Sequence, residues 1–344
     1  MNNACVTITG PREVALLDAA SPSPDRGQVL IRTTYSGISA GTEMNVYRGV
    51  APQWSQRQDP DSGLFLAGEP EWTYPLVYGY ANVGVVEELG PAVSGVSVGD
   101  TVFSYTPHCR LVVANAGDVV PLPEFPDPRR GVFLANLNTA LTGVLDARPS
   151  LGSAVLVSGL GVIGLLVTQL LRRTGVGLLI GVDPVEQRRQ LALEAGADLV
   201  YDPREPVPEL VRERTDGRGA DIVIEVSGAP PALMQAIRTA GFNALVVAMS
   251  WYGGSFDGLK LSGEFHHNRV RIQSAQVGAV NPDLGPLWSV ERRTALATEL
   301  LLALPLERYI THEFRPEQAA EAYAMLDRLT EPALQCVFDF GGTA

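Results

Sequence analysis

Three glycines in the spacing G-x-G-x-x-G, followed by one acid, are the residues of this chain whose chemistry is easiest to assign. Gly159, Gly161 and Gly164 follow the apolar run 154–157, and Asp183 comes 19 residues after Gly164. In that spacing the first glycine permits a tight turn, the second lets backbone approach a pyrophosphate, and the third lets a helix pack closely on a sheet. Asp183 would accept hydrogen bonds from the adenine ribose and repel a 2′-phosphate, which favours NAD over NADP.

The elements around these glycines have the order that such a site requires. Residues 154–157 predict a strand, 162–173 a helix that is apolar on most sides, and 178–182 a second strand ending at Asp183. The helix begins at Val162 and Ile163, where free N–H groups would hold phosphates. A glycine motif alone is a weak signal, but strand, glycines, helix, strand and acid in this order predict a dinucleotide-binding unit.

Composition and charge narrow the class of protein. The 344 residues are 46% apolar and 19% charged, which is typical of a globular chain, and the net charge of −12 argues against a nucleic-acid partner. The N-terminal sequence lacks the pattern of a signal peptide, so we expect none. The longest apolar region lies inside the glycine motif and is broken by its glycines, so we expect no membrane span. Cys5, Cys109 and Cys336 are far apart and form no C-x-x-C pair, so we expect no disulfide framework and a cytoplasmic protein.

The predicted pattern of secondary structure changes along the chain. Residues 1–122 contain short β-like runs at 28–35, 83–89 and 101–104, and a long loop at 51–74 of a length often associated with function. From about residue 127, strands and helices alternate, which predicts a parallel, doubly wound sheet. We therefore expect a β-rich domain over 1–122, a dinucleotide-binding domain over 123–280, and a segment 281–344 whose last strand, 333–340, returns to the first domain.

Four segments resemble the medium-chain dehydrogenase/reductase superfamily: Gly37-Ile38-Ser39-Ala40-Gly41-Thr42-Glu43, the run from Tyr78 to Gly84, Val98-Gly99-Asp100, and the glycine motif. The resemblance spans nearly the whole chain and is strongest to a divergent zinc-type branch that includes the dehydrogenase of bacteriochlorophyllide synthesis. It implies an α/β fold, with a GroES-like β-rich catalytic domain plus a doubly wound Rossmann domain. It also implies conversion between a secondary alcohol and a ketone, and a homodimer formed through the sheet edge near 269–276.

The sequence departs from that family where zinc would bind. The family's cysteine position is Ser39 or Ala40, its histidine position is Tyr80 and its neighbouring glutamate position is Ala81. Serine, alanine and tyrosine are not expected zinc ligands. The four clustered cysteines of the family's structural zinc lobe are also absent, since Cys109 stands alone near 90–110. The sequence therefore predicts a zinc-free member with no metal site.

Without zinc, a side chain must stabilise charge and handle the proton at the substrate oxygen. Tyr80 holds the lost ligand position, and a phenol with a lowered pKa would donate to a carbonyl or accept from an alcohol; the alternative is an aromatic ring that only shapes the pocket. Thr42 aligns with the family's proton relay, or it is a turn hydroxyl bonded to backbone. Glu43 matches an acid that supports the family's site, or it forms an ordinary salt bridge.

Further residues are assigned to the two binding sites. Strand ends face the cofactor in doubly wound sheets, so the run 250–253 is placed at the site. Trp251 and Tyr252 either flank the nicotinamide or line the substrate pocket, or they belong to the core or to an interface. Only one of His266 and His267 is expected near the cleft, and the resemblance places His108 at its border, although a lone histidine is more often structural. The remaining cofactor contacts are Arg188, Ser227, Gly228 and Ser250; the remaining substrate-pocket candidates are Ser39, Trp72 and His266, with Glu69 and Glu71 in the long loop.

The resulting hypothesis is a zinc-independent NAD(P)-dependent oxidoreductase. It would interconvert a secondary alcohol and a ketone on a polar or cyclic small molecule in specialised metabolism, with NAD as the cofactor and NADP as the alternative. A second enzymatic hypothesis is an enone or quinone reductase, the common activity of zinc-free members. A third is a nucleotide-binding redox sensor without turnover.

Overall fold

The computed structural model describes residues 3–68, 70–253 and 258–341. Their contacts divide the chain into two compact units, Met1–Ala135 with Leu300–Ala344, and Asn136–Glu299. The sequence placed the divisions at 122 and 280 instead. Glu69, one of the loop residues assigned to the substrate pocket, lies outside the described residues.

The first unit begins with ten strands and a short helix. The strands are β1 (Asn3–Gly10), β2 (Glu13–Ala19), β3 (Gln28–Ile38), β4 (Gln56–Gln58), β5 (Phe65–Ala67), β6 (Leu76–Val77), β7 (Asn82–Leu89), β8 (Thr101–Ser104), β9 (Leu111–Asn115) and β10 (Val120–Pro121). Helix α1 is Thr42–Tyr47, and helix α2, which follows a 3₁₀ turn at Pro128–Val132, is Phe133–Ala147.

The second unit alternates strands with helices. In chain order they are β11 (Ala154–Ser158), α3 (Val162–Arg172), β12 (Leu178–Val182), α4 (Glu186–Glu194), β13 (Leu199–Tyr201), α5 (Val207–Arg214), β14 (Ala220–Glu225), α6 (Pro230–Thr239), β15 (Ala240–Ala248), α7 (Glu264–His267) and β16 (Arg271–Ser274). After helix α8 (Val290–Ala303), the chain forms β17 (Ile310–Phe314), α9 (Ala319–Arg328) and β18 (Gln335–Asp339).

The second unit is a six-stranded parallel sheet in the order β13-β12-β11-β14-β15-β16. Strand β11 is buried at every position, as expected for a central parallel strand covered on both faces. The order reverses at β11, so chain segments leave its carboxyl end in opposite directions and open a crevice there. The predicted doubly wound Rossmann domain is confirmed.

The first unit is built around a mainly antiparallel sheet in the order β10-β8-β7-β3-β18-β17, in which β9 also pairs with β3. Strands β2, β1 and β6 form a separate three-stranded sheet in the order β2-β1-β6. The last strand, β18, pairs with β3 through Cys336 opposite Ile38. The end of the chain thus supports the strand that leads directly to Ser39, Thr42 and Glu43. This is the GroES-like β-rich architecture expected of the first domain.

The region predicted as one long loop, 51–74, contains more structure than its composition indicated. A 3₁₀ turn over Pro52–Trp54 precedes the hairpin of β4 and β5, in which Gln56 pairs with Ala67 and Gln58 with Phe65. Both strands have only three residues, which is too short for the alternating pattern that reveals a strand in sequence.

The cysteine prediction was wrong. Cys5 and Cys109 are joined by a disulfide between neighbouring extended segments, although 104 positions separate them. Sequence spacing could not reveal the pair, because the segments become neighbours only when β1 packs beside the chain that precedes β9. The cysteines therefore no longer support an assignment to a reducing compartment. Among the described residues, no helix has the length and apolar character needed to cross a membrane.

Candidate active site

The glycine motif forms the turn between β11 and α3. Gly159 has φ +95°, and a Cβ atom there would lie 2.7 Å from the backbone of Ser227. A Cβ on Gly164 would lie 1.9 Å from the carbonyl oxygen of Gly159, so this helix can approach the strand only without a side chain. Gly161, at the start of α3, borders open space. This turn therefore has the backbone geometry that a pyrophosphate-binding site requires.

Asp183 fixes this turn from the end of β12. One carboxylate oxygen accepts from the amide of Leu160 at 2.8 Å, and the other accepts from the amide of Val185, also at 2.8 Å. The side chain is only 3% exposed. A carboxylate can accept about four hydrogen bonds, so both oxygens retain lone pairs for ribose hydroxyls. The guanidinium of Arg188 lies 3.8 Å from the carboxylate.

A second buried carboxylate organises the carboxyl end of β14. Glu225 is fully buried and accepts from both the amide and the hydroxyl of Ser227 and from the hydroxyl of Tyr252. Burial, followed by the charge of Glu225, raises the pKa of Tyr252. The hydroxyl of Ser250 accepts from the amide of Gly228 at 2.8 Å. The strand-end residues assigned to the cofactor are thus held together, and Tyr252 is anchored to the sheet.

Trp251 lies in the same partly buried segment as Tyr252, immediately after β15. His266 does not belong to this edge, so its assignment to the substrate pocket was wrong. It is exposed on α7, which precedes β16, and the backbone beside it, at Asn268, bonds to Asn243 near the start of β15. That location is the amino edge of the parallel sheet, opposite the glycine turn.

In the first unit, Glu43 lies at the centre of a buried hydrogen-bond network. Its Oε1 accepts from the amide of Ser39 at 2.8 Å, and its Oε2 accepts from the hydroxyl of Tyr323 at 2.6 Å. His108 Nε2 lies 2.9 Å from the same Oε2, and the other ring nitrogen of His108 lies 2.5 Å from the hydroxyl of Ser36. All of these side chains except Ser39 are fully buried, so the network around Glu43 fits a supporting acid better than an ordinary salt bridge.

His108 also fixes the backbone next to Tyr80. A Cβ on Gly79 would lie 2.7 Å from the His108 ring, and Gly79 has φ +126°. The amide of His108 donates to the carbonyl of Tyr78 at 3.3 Å. His108 is therefore a buried positioning residue, in keeping with the structural alternative for a lone histidine.

Tyr80 is hydrogen-bonded through its hydroxyl to the side chains of Ser39 and Thr42. Burial, and then the charge of Glu43, raises its pKa to about 12, although the two hydroxyls lower it in part. The prediction of a lowered pKa was therefore wrong, because the nearby charge is a carboxylate rather than a cation. Tyr80 is a neutral hydrogen-bond donor at physiological pH.

Trp72 contacts the rings of Trp54 and Tyr78 edge-on, with centroid separations of 5.8 and 5.5 Å. Tyr78 in turn contacts Tyr80 at 6.4 Å. The predicted pocket residue Trp72 is thus connected to Tyr80 through one aromatic ring. Glu71 is exposed, and its carboxylate lies near the amide of Gln58 in the hairpin.

The residues at the family's zinc position do not fit zinc. Tyr80 offers a hydroxyl bonded to those of Ser39 and Thr42, and the buried imidazole of His108 is bonded to the carboxylate of Glu43. Across the described ranges, no group of three or more histidine, cysteine, aspartate or glutamate side chains is arranged to hold a metal ion. We therefore derive no step through a metal.

Comparison with known proteins identifies the family. Residues 25–124 match the alcohol dehydrogenase GroES-like domain, and residues 162–289 match the zinc-binding dehydrogenase domain. D-guloside 3-dehydrogenase of Escherichia coli (strain K12) is 30% identical over 86% of this chain and 87% of its own length. L-threonine 3-dehydrogenase of Pyrococcus abyssi is 27% identical over 90% of this chain and 91% of its own. The structure of galactitol-1-phosphate dehydrogenase from E. coli superposes with a TM-score of 0.80 at 17% identity, covering 98% and 99% of the two chains.

The chain therefore belongs to the medium-chain dehydrogenase/reductase superfamily. Within that superfamily it is an NAD(P)-dependent dehydrogenase of the medium-chain type.

Sequence reasoning missed three members of the site. Tyr323 and Ser36 complete the hydrogen bonding around Glu43 and His108, and Glu225 organises the strand end at Ser227. Tyr323 has no local signal, since it lies within an ordinary helix 280 positions from Glu43. Glu225 had one: an acid at the end of an otherwise apolar strand, directly before a Ser-Gly turn.

Proposed function

We propose that this protein interconverts a secondary alcohol and a ketone on a polar or cyclic small molecule, with NAD and without zinc. The observation that supports this most directly is the placement of Tyr80. Its hydroxyl lies among the hydroxyls of Ser39 and Thr42, at the position where zinc-dependent relatives place a metal ligand. This arrangement supplies hydrogen-bond donors to a substrate oxygen that zinc would otherwise polarise.

Tyr80 has a different role in each direction of the reaction. In ketone reduction, the protonated phenol donates to the carbonyl oxygen as negative charge develops there. In alcohol oxidation, the substrate hydroxyl gives its proton to Tyr80 as Tyr80 passes its own to Thr42 or Ser39, and that hydroxyl releases a proton to solvent, so each hydroxyl ends in its starting state. When bound, the nicotinamide supplies the hydride for reduction and accepts it in oxidation. The pKa of about 12 keeps the phenol protonated, which supports ketone reduction as the direction that Tyr80 assists more strongly.

NAD is the proposed coenzyme. The turn at Gly159, Gly161 and Gly164 would hold the pyrophosphate, and the spare lone pairs of Asp183 would hold the ribose hydroxyls. A 2′-phosphate would be repelled by the buried carboxylate. The guanidinium of Arg188 lies 3.8 Å from the Asp183 carboxylate and would pair with a 2′-phosphate, so NADP remains the alternative coenzyme.

The substrate class follows from the polar groups of the site and from the relatives. The relatives named above act on a guloside, a threonine and a sugar alcohol phosphate by name, and each of these carries a secondary alcohol. The hydroxyl-rich end of the site, formed by Ser39, Thr42 and Tyr80, suits a substrate with neighbouring hydroxyl groups. We place the reaction in specialised metabolism, as the sequence suggested.

Replacing Tyr80 with Phe tests the proposal. We expect turnover to fall by about 10²–10⁴-fold, the usual contribution of a general acid or base, while NADH binding is unchanged. Tyr35→Phe is the matched control, since it removes a phenol from β3. Turnover of Tyr80→Phe at the rate of the control would refute the assignment. A saturated ketone and the matching enone, offered side by side, separate this function from an enone reductase, which would reduce only the enone.

The outer edge of β16 supports a homodimer. No strand among the described residues pairs with that edge, and Ile272 on it is 38% exposed. An open strand edge is a ready site for pairing with a second copy. Light scattering on the purified protein should give twice the mass of one chain, and Ile272→Lys should shift the value to that of a monomer.

A further inference from the structure

Five aromatic rings contact one another in a row that starts at the proposed catalytic phenol. Following Tyr80 outward, the centroid separations are 6.4 Å to Tyr78, 5.5 Å from Tyr78 to Trp72 and 5.8 Å from Trp72 to Trp54. Tyr74 stacks on Trp54 at 4.0 Å. We call these five residues the aromatic wall. All belong to the first unit, and all come from the segment 54–80.

The aromatic wall is not a closed core. Each of its five side chains is partly exposed, whereas the large aromatic residues that do fill the core of this unit, such as Phe103 and Phe338, are completely buried. Its rings are nevertheless held in place. The indole N–H of Trp54 donates to the carbonyl of Val46 in α1, and the amide of Trp72 donates to the carbonyl of Gln53.

The two ends of this surface differ in chemistry. At the inner end the hydroxyl of Tyr80 is bonded to those of Ser39 and Thr42, which suits a ring that carries several hydroxyl groups. Beyond Tyr78 the surface consists of the two indoles and the ring of Tyr74. Flat aromatic faces bind other rings and the C–H faces of saturated rings, and they do so without hydrogen bonds. A small polyol would occupy the inner end alone and leave the indoles uncovered.

We propose that the substrate is an amphipathic glycoside, with its hydroxylated ring at Tyr80 and an aromatic substituent in the corner formed by the nearly perpendicular indoles of Trp72 and Trp54. This inference rests on the proposed function and names the substrate class of the same site. The competing explanation is that the rings only pack the β4–β5 hairpin onto the first unit. The two explanations differ in whether an aromatic substituent on the sugar contributes to binding.

The experiment measures binding separately from turnover. The protein is saturated with NADH, which cannot react with an alcohol, and titrated calorimetrically with phenyl and methyl glycosides of the same sugar. Three pairs are used: β-D-glucosides, β-D-galactosides and β-D-gulosides. For at least one pair, we expect the phenyl glycoside to bind about tenfold more tightly, the gain expected from stacking on one or two rings.

Variants of Trp72 then locate the effect. Trp72→Ala should bring the ratio of the phenyl to the methyl dissociation constants close to one, and Trp72→Phe should retain part of it. Trp288→Ala, in the second unit, removes an indole that lies over Arg292 and should leave the ratio unchanged. If circular dichroism shows that Trp72→Ala is misfolded, Trp72→Leu keeps the apolar volume without the aromatic face and serves in its place.

The outcomes separate this inference from the proposed function. A ratio near one in the unmodified protein for every pair, or no binding of any glycoside, overturns the inference. A ratio that survives in Trp72→Ala, or in Trp72→Leu where that variant replaces it, overturns the inference as well. If a phenyl glycoside binds as expected but is not oxidised when NAD replaces NADH, the inference that the aromatic wall binds the substituent is supported. The proposed alcohol oxidation then fails for that sugar.

Discussion

Tyr323 donates its phenolic hydrogen to Glu43 Oε2 at 2.6 Å, across 280 positions of sequence. Both side chains are fully buried, and His108 contacts the same oxygen. Burial, followed by the charge of Glu43, holds the pKa of Tyr323 well above its usual range, so the phenol remains a donor. One carboxylate therefore joins α1, α9 and the segment around His108, and the Tyr80 site is built on it.

Removing this carboxylate should destabilise the first unit. In Glu43→Ala the Ser39 amide and the Tyr323 hydroxyl lose their buried acceptor, and we expect a loss of about 3–5 kcal/mol in the free energy of unfolding. Glu43→Gln, which keeps one acceptor oxygen, should lose less. Chemical denaturation followed by fluorescence measures both. Glu87→Ala, which breaks the exposed pair with Arg32, is the control and should cost less than about 1 kcal/mol. Equal losses in the two alanine variants would show that the network contributes little.

Gly79→Ala should impair the site through backbone geometry. The added Cβ would lie 2.7 Å from the His108 ring, and φ +126° is strained for any other residue. We expect a loss of stability of about 1–3 kcal/mol together with reduced turnover, because Tyr80 is the next residue. Gly117→Ala is the control, since a Cβ there meets nothing within 4 Å. Unchanged turnover in Gly79→Ala would show that the backbone conformation at Gly79 does not determine the position of Tyr80.

The raised pKa of Tyr80 predicts the pH dependence of ketone reduction. A phenol with a pKa of about 12 keeps its proton at every pH below that value, so its ionisation should not alter the rate between about pH 6 and pH 9. The measurement is kcat for ketone reduction across that range at saturating NADH. If the rate falls as the pH rises through 7 to 9, and this fall disappears in Tyr80→Phe, the phenol ionises there and the raised pKa is wrong.

Asp183 should set the coenzyme preference. Fluorescence titration of the unmodified protein should give a dissociation constant for NADH at least about tenfold lower than for NADPH, since the carboxylate opposes a 2′-phosphate. Asp183→Asn keeps one oxygen to accept an amide hydrogen bond but removes the charge, and it should narrow the difference. Arg188→Ala should weaken NADPH more than NADH. Tighter binding of NADPH by the unmodified protein would contradict the prediction.

The disulfide predicts the number of reactive thiols. Of the three cysteines, only Cys336 is free, and burial raises its pKa to about 12. Protein denatured without reductant should therefore give one thiol per chain with a thiol-specific reagent, and three after reduction. The native protein should react slowly, because the thiol is buried and protonated. Three thiols without reductant would show that Cys5 and Cys109 are not joined.

The sequence by itself determined the parts of the fold that depend on local pattern. The turn at Gly159, Gly161 and Gly164 was identified from its spacing, which backbone sterics enforce at Gly159 and Gly164. Asp183 was identified because the acid must follow the second strand at a fixed distance. The strands at 101–104 and 178–182 were predicted with the bounds that the structure gives, since burial on both faces or on alternate faces leaves a readable pattern.

Only the tertiary structure decided the groups that meet across long separations. The Glu43 network draws on residues 36, 39, 108 and 323, and the Cys5–Cys109 disulfide on two distant segments, because pairing between β-strands is set by packing rather than by nearby sequence. The direction of the pKa shift of Tyr80 could not be predicted from the sequence either. The pKa of Tyr80 rises rather than falls, since burial and a carboxylate surround it, and neither is visible until the chain is folded.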